Sequence, residues 1–376
     1  METKKYRFDE VTINFDKKRI PLSSAQREKR QGTFRYYGAQ GVIDHVDDYI
    51  FDGTYLLIAE DGENLKSKKQ NIAQVVDGQF WVNNHAHIVQ GNEQCDTRFL
   101  CYLINSMDLS GYVTGSAQPK LSQANLNAVT LSLPTLAEQK RIVEYLYMLD
   151  QKIDVNRQIN DNLYAQAKAI FDNHFINIDA IPAGWRKGNL LDIANYLNGL
   201  AMQKFRPQGN EIGLPVLKIK ELRQGSCDDS SELCSLSIKP EYIIHDGDVV
   251  FSWSGSLLVD IWCGGTCGLN QHLFKVTSDV YDKWFYYLWT AHHLARFIAI
   301  AADKATTMGH IKREELAKAE VLIPCEEDYT SFNSIMQPIF ELMISNRIES
   351  RKLAALRDEL LPKLMSGEID VSDVQI

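Results

Sequence analysis

Hydrophobic positions in this chain follow two rhythms, one helical and one strand-like, and both occur twice. Ile142, Leu146, Leu149, Ile153, Asn156, Asn160, Leu163, Ala167 and Ile170 are spaced 4-3-4-3, and 190 residues later Phe332, Met336, Ile339, Met343, Asn346, Ser350, Leu353, Arg357 and Leu360 repeat the spacing. A repeat of 3.5 residues lays one seam along a long helix and invites a second helix onto it. Each stretch opens on a helix-start signal, Pro134-Thr135-Leu136-Ala137-Glu138-Gln139 in the first and Pro324-Cys325-Glu326-Glu327-Asp328 in the second. Two copies of one helix are therefore expected, each a natural partner for the other.

The segments before each helix echo one another as short apolar runs bounded by turn residues, the pattern of strands. Ile50-Phe51-Asp52-Gly53-Thr54-Tyr55-Leu56-Leu57-Ile58 is matched by Ile244-His245-Asp246-Gly247-Asp248-Val249-Val250-Phe251-Ser252. Asn83-Asn84-His85-Ala86-His87-Ile88-Val89 is matched by Asn270-Gln271-His272-Leu273-Phe274-Lys275-Val276. Phe99 to Ile104 and Trp284 to Trp289 read as an equivalent pair of short buried helices, and Leu131 to Pro134 parallels Val321 to Pro324. The offset drifts through 194, 187 and 185 before returning to 190, as expected when strands and helices are shared and loops differ in length.

The expected fold is α/β (α+β), with two pseudo-repeated strand-rich domains separated by two long antiparallel coiled-coil helices. The boundaries fall at 1–133 for the first domain, 134–176 for the central helix, 177–323 for the second domain and 324–376 for the C-terminal helix. Ile181-Pro182-Ala183-Gly184-Trp185 supplies the break between the halves. Each helix of about 40 residues would be about 60 Å long. Antiparallel pairing places Asn156 near its copy Asn346, where buried amides cost stability but set register; the alternative is a position at the seam margin with no such role. At about 3.4 Å per base pair, a spacer of that length is commensurate with one to two turns of duplex, the scale on which two-fold DNA readers set half-site spacing.

Bulk composition bounds the class. With 376 residues, two or three domains are expected, and 45% hydrophobic with 24% charged residues is the composition of a globular chain. No apolar run is long enough to span a bilayer and the start carries no apolar leader, so a soluble, cytoplasmic protein is expected. Seven cysteines argue against a disulfide framework. Cys263 and Cys267, with Cys227, Cys234, His245 and His272, form a possible soft-ligand set, with scattered buried thiols as the alternative. Net charge is −9, yet between Lys17 and Arg35 seven basic residues stand against Glu28 alone, and Lys204, Arg206, Lys218, Lys220 and Arg223 outnumber Glu211 and Glu221. Basic stretches on an acidic chain can focus a polyanion onto particular faces; the bland reading is solvated loops.

Three segments carry a family resemblance: Leu133 to Val143 (Leu-Pro-x-Leu-x-Glu-Gln-x-x-Ile-Val), Leu356 to Ile369 (Leu-Arg-Asp-Glu-Leu-Leu-Pro-Lys-Leu-Met-Ser-Gly-Glu-Ile), and Tyr37-Gly38-Ala39-Gln40-Gly41. They resemble the DNA-specificity (S) subunit of type I restriction-modification systems, over nearly the whole chain. The second helix start departs from the pattern, with Asp328-Tyr329 where Glu-Gln is usual. The resemblance implies target-recognition domains at 1–133 and 177–323 that read two half-sites of double-stranded DNA across a fixed gap. It also implies a bridge between two modification methyltransferase subunits that methylate adenine with S-adenosylmethionine, joined by restriction/translocase subunits that hydrolyse ATP. S-adenosylmethionine, ATP and Mg would then belong to the partners, with no cofactor, metal or catalytic centre in this chain.

The residues agree with a non-catalytic reader. No phosphate-binding G-x-x-x-x-G-K-S/T, no G-x-G-x-x-G after a strand and no Asn/Asp-Pro-Pro-Tyr/Phe tetrad occurs. His85, His87 and His272 are the strongest candidates for a hidden site, with structural hydrogen bonding or DNA contact as their other fates. For DNA binding, Lys17, Lys18, Arg19, Lys29, Arg30, Lys204 and Arg206 are expected at phosphates. Arg35, Gln40, Gln118 and Lys120 in the first half, and Arg223, Thr306, Thr307, His310 and Lys312 in the second, are expected at base edges. Tyr36, Tyr37 and Trp253 would pack on sugars or bases, or lie in the core. The competing expectation is a coiled-coil scaffold whose α/β modules bind proteins; a fused nuclease lacks an acidic metal cluster in the sequence.

Overall fold

The computed structural model describes residues 2–67, 70–115, 118–303 and 310–369. In the first half, ten strands run as β1 (Lys4–Arg7), β2 (Thr12–Asn14), β3 (Gln31–Gly38), β4 (Gly41–Val46), β5 (Phe51–Asp52), β6 (Tyr55–Ala59), β7 (Ala73–Val76), β8 (Gln79–Val82), β9 (Ala86–Gly91) and β10 (Thr130–Leu133). Ten more follow as β11 (Arg186–Asn189), β12 (Asn195–Asn198), β13 (Leu214–Leu217), β14 (Leu233–Cys234), β15 (Ile243–Ile244), β16 (Val249–Ser252), β17 (Leu258–Ile261), β18 (Cys267–Leu269), β19 (Leu273–Thr277) and β20 (Glu320–Ile323).

Strand order repeats without exception. The first half forms sheets β1-β10, β2-β9-β6-β7 and β4-β3-β8-β5; the second forms β11-β20, β12-β19-β16-β17 and β14-β13-β18-β15. Even the parallel pairs correspond, β3 with β8 and β13 with β18. The helix Thr97–Ser106 crosses in the first half, and Lys283–Asp303, twice its length, crosses at the same place in the second. The expected second short helix is thus a long one, because its apolar pattern runs on through Phe297 and Ala301, both buried.

Two long helices, Leu136–Phe171 and Glu326–Ser366, follow the two modules. Thr135 caps the first: its hydroxyl accepts from the Glu138 amide and the Glu138 carboxylate accepts from the Thr135 amide at 2.9 Å. That helix passes into a π-turn at Asp172–Ile176. The second ends where Gly367 adopts φ +75°, a left-handed conformation that stops a helix at little cost in glycine. Every residue of both predicted seams is buried or half-buried.

Two compact units share the chain, Met1–Gln151 with Ala354–Ile376, and Lys152–Leu353. Each long helix therefore contributes to both. In the first unit, Phe8, Leu56, Ile58, Phe99, Leu100 and Ile104 pack with Ile142, Leu146 and Leu364 of the long helices. The Tyr102 hydroxyl donates to Asp150 at 2.5 Å and Arg357 donates to the same carboxylate at 2.7 Å. In the second unit the corresponding layer is apolar, with Tyr287 against Phe340 at 5.7 Å and Ala167 fully buried. An aromatic cluster of Phe171, Phe175, Trp284, Phe285 and Trp289 fills that core. Two bidentate ion pairs one helical turn apart, Arg347 on Asp260 and Arg351 on Asp246, fasten the C-terminal helix to the module's strands and turns.

The helices run antiparallel where they meet inside this second unit. Asn156 and Asn346 lie in the same buried region but do not join side chain to side chain. Asn156 donates to Glu349 at 2.7 Å and Ser350 at 3.3 Å, whereas Asn346 donates to Asn160 at 3.0 Å. Asn160 in turn donates to the Met343 carbonyl at 3.0 Å. Because Ser350 is the copy of Asn160, the contacts Asn156 to Ser350 and Asn346 to Asn160 are one contact made twice. Asn156 also reaches the backbone carbonyl of its own copy Asn346 at 3.5 Å, so the two lie close together as expected, while their side chains bond residues one turn on.

Candidate nucleic-acid interface

In the first module, the segment Gln118–Leu121 is held against the ends of β6 and β9 by a charged network. Lys120 pairs with Thr114 through backbone bonds at 2.8 Å in both directions, and the Leu121 amide donates to the Glu60 carbonyl at 2.8 Å. Beneath it, His87 Nδ1 lies 2.6 Å from Asp16 Oδ2 and Nε2 lies 2.8 Å from the Leu121 carbonyl. A carbonyl only accepts, so Nε2 carries a proton; an ionised carboxylate at Nδ1 calls for the other. Burial disfavours the imidazolium, but the hydrogen bonds to Asp16 and Leu121 and the charges of Asp16 and Glu60 outweigh it and hold His87 above its ordinary pKa. Burial would likewise raise Asp16, but bonds from His87 and the Ile88 amide, with the charges of His87 and Arg19, hold it below the ordinary value. Glu60, where burial is again outweighed, is lowered by Arg19 at 2.9 Å, His87 and Lys120 at 3.3 Å.

The second module builds the same place from different chemistry. By strand register, Asn198, Trp253, Ser254, His272, Phe274, His310 and Ile311 stand where the first module has Asp16, Glu60, Asp61, His85, His87, Lys120 and Leu121. The Ile311 amide donates to the Trp253 carbonyl at 2.8 Å, as Leu121 does to Glu60. His272 Nδ1 meets the Ser254 hydroxyl at 2.9 Å, where His85 Nδ1 meets Asp61 at 2.7 Å. Trp253 donates to Asn198 at 3.0 Å and lies 5.8 Å from the Phe274 ring and 6.2 Å from the His310 ring. One position in the fold thus carries an ionic network in the first module and an aromatic cluster in the second.

A model of the type I restriction modification DNA specificity domain matches residues 2–165. Two curated relatives extend the likeness beyond that span. The type I restriction enzyme MjaIX specificity subunit of Methanocaldococcus jannaschii is 26% identical over 307 residues, covering 74% of this chain and 70% of the relative. The type I restriction enzyme HindI specificity subunit of Haemophilus influenzae is 20% identical, covering 85% of this chain and 84% of the relative. The chain is similar to type I restriction-modification specificity subunits. A solved S subunit of such a system from M. genitalium shares the fold, with a TM-score of 0.62 at 13% identity over 97% of this chain and 96% of that one.

The basic residues of this chain divide into those turned to solvent and those bound to the protein. Lys17, Lys29, Lys204 and Lys312 are exposed and have no ion-pair partner among the described residues. Lys18 is exposed beside the Phe15 ring, and Arg206 is exposed in the neighbourhood of Glu232. Arg19, with a side chain 15% exposed, is drawn inward onto Asp16, Glu60 and the Ala86 carbonyl. Arg30 pairs with Asp47 and covers the Trp81 ring, and Arg35 donates to the Asp77 carbonyl at 2.6 Å beside Tyr37. Four guanidinium groups of the basic run, Arg27 on Asp44 included, are therefore engaged within the protein, which leaves its lysines for solvent.

Gln40 sits in the two-residue turn between β3 and β4, where Gly41 at φ +132° closes the hairpin. It reaches Asn64 at 3.3 Å, near Gly62, whose amide donates to the Pro119 carbonyl. Gln40, Gln118 and Lys120 are accordingly neighbours in the structure. Gln118 is exposed. In the second module Arg223 bonds the Ser256 hydroxyl, His310 pairs with Ser254 and Trp253, and Lys312 precedes the helix Arg313–Ala317. Thr306 and Thr307 lie outside the described residues.

Tyr36 and Tyr37 are buried, Tyr36 hydrogen-bonding the Leu22 amide at 2.8 Å, so both belong to the core. Trp253 stays half-buried in the site. Cys263 and Cys267 are buried; Cys267, hydrogen-bonded to Cys227 and desolvated, is held as a thiol far above its ordinary pKa. Among the described residues no group of three or more His, Cys, Asp or Glu side chains is arranged to hold a metal ion, and no helix is long and apolar enough to cross a membrane. Asp16, Glu60 and Asn198 are not among the residues the sequence singles out. Glu60 falls on Trp253 at an offset of 193 and Asp16 on Asn198 at 182, a drift that hides the correspondence.

Proposed function

We propose that this chain is a specificity subunit that reads a bipartite double-stranded DNA target, one half-site through each strand-rich module, with modules corresponding to residues 1–133 and 177–323. One observation carries this reading: two modules of identical strand order place unlike side chains, charged in one and aromatic in the other, at the same position beside exposed basic residues. A shared scaffold with unlike loops suits two different sequences better than one repeated sequence. Exposed Lys17, Lys18, Lys29, Lys204 and Arg206 would neutralise phosphates, so binding weakens as salt rises. Gln40, Gln118 and Lys120, with His310 and Lys312 in the second module, would reach base edges. The long helices, through the spacing they impose, would fix the gap and offer a platform to two modification methyltransferase subunits, with restriction/translocase subunits joining in the cytoplasm. Methyl transfer with S-adenosylmethionine, and cleavage driven by ATP with Mg, would then be the partners' chemistry.

The test is selection from a random duplex pool by the full chain assembled with the modification subunits of its own host. Enrichment of two short sequences separated by a constant gap is expected, and recovery of unselected DNA would overturn the reading.

A further inference from the structure

The charged network under Gln118–Leu121 does more than fill space. His87 joins three segments distant in sequence: the 3-10 turn Asp16–Lys18, strand β9 and the segment ending at Leu121. Its two ring nitrogens are both occupied, and its side chain is 1% exposed, so it touches no DNA itself. Arg19 and Lys120 converge on Glu60 from opposite segments, and the Glu60 carbonyl holds the Leu121 amide. The segment bearing Gln118 and Lys120 is therefore fixed by one buried imidazole ring and one half-buried carboxylate. In the second module, Phe274 occupies the place of His87 and the corresponding segment is seated on Trp253.

We infer that His87 is a positioning residue for DNA reading by the first module alone, holding Gln118 and Lys120 at the base edges of one half-site. The inference rests on the DNA-reading function proposed above. A side chain displaced by about an ångström no longer forms a two-point hydrogen bond to a base, so loss of the clip relaxes sequence preference rather than general DNA affinity. Phosphate contacts from the lysines, which carry no sequence information, are left in place.

The experiment repeats the random-pool selection with His87→Phe, which copies the second module's residue, and with Gln118→Ala and Lys120→Ala as references. In His87→Phe, sequence enrichment at one half-site should fall about tenfold, the discrimination carried by one base contact. The same half-site should weaken in Gln118→Ala or Lys120→Ala, while the other half-site and the gap stay as in the wild type. Unchanged enrichment at both half-sites would overturn the inference, as would equal loss at both, which would mark His87 as a fold residue only. If His87→Phe does not fold, Asp16→Asn carries the same test, because it keeps an acceptor for the Ile88 amide and removes the charge facing His87. Should the wild-type complex enrich no sequence, the DNA-reading function itself fails and this inference falls with it, an outcome distinct from a variant that matches the wild type.

Discussion

Gln139 and Tyr329, 190 residues apart, each satisfy a backbone amide just ahead of the crossing helix of their own module, with different chemistry. Gln139 Oε1 accepts from the Asp96 amide at 2.8 Å, and the Tyr329 hydroxyl accepts from the Asp282 amide at 2.6 Å. Gln139 also donates to the carbonyls of Gln94 and Pro134, and Tyr329 donates to the Asp282 carboxylate. The departure at Asp328-Tyr329 is thus a replacement in kind. Asp328 takes its own partner, the Trp185 indole at 2.7 Å. Gln139→Leu leaves one amide and two carbonyls without that side chain, and a loss on the order of 2–3 kcal/mol is expected. Urea unfolding of the full chain checks it, and a midpoint equal to wild type would contradict the role.

Asn156 and Asn346 should cost stability rather than supply it. The Asn156 side-chain oxygen is buried without a partner. Replacing both residues with Leu is therefore expected to hold stability within about 1 kcal/mol or raise it, while the helix register loosens. Variation in gap length among the selected DNA sequences reads the register. A gap as sharp as the wild type's would show that these amides do not set it.

Inserting four residues after Gln158 shifts the seam by one turn. The preferred gap in the selected DNA should change by an integral number of base pairs with both half-sites intact. An unchanged gap would separate half-site spacing from helix length.

The His87 network makes stability depend on pH in a defined sense. His87 is raised above 6.5, so its contribution is full below that value and is lost as pH climbs through the elevated pKa. Asp16 is lowered below 3.8, so its contribution is present above that value and is lost as pH falls through the depressed pKa. Wild-type unfolding followed across pH should show both losses in the first unit. In His87→Phe the alkaline loss should vanish; its persistence would assign it elsewhere.

The sequence exposes the long helices because a seam is a periodic pattern, and Ile142 to Ile170 writes it without interruption. Strand order is legible for a related reason, since the apolar runs at Ile50–Ile58 and Ile244–Ser252 recur at nearly constant offset. How these amides pair is not legible: a repeat says that Asn156 and Asn346 are equivalent, not that each side chain bonds the other's neighbour one turn on. Nor does a basic run reveal its neutralisation, because Asp44, Asp47 and Glu60, which bind Arg27, Arg30 and Arg19, arrive from other segments. The site's central residues were hidden for the same reason. Asp16 and His87 are 71 positions apart and meet only once β2 pairs with β9.

The most direct measurement of the central claim is a genome-wide map of methylated adenines in the host, with this chain present and deleted. The account predicts that one bipartite motif, two short sequences across a fixed gap, loses methylation on deletion and regains it on complementation. An identical methylation map in both strains would contradict it.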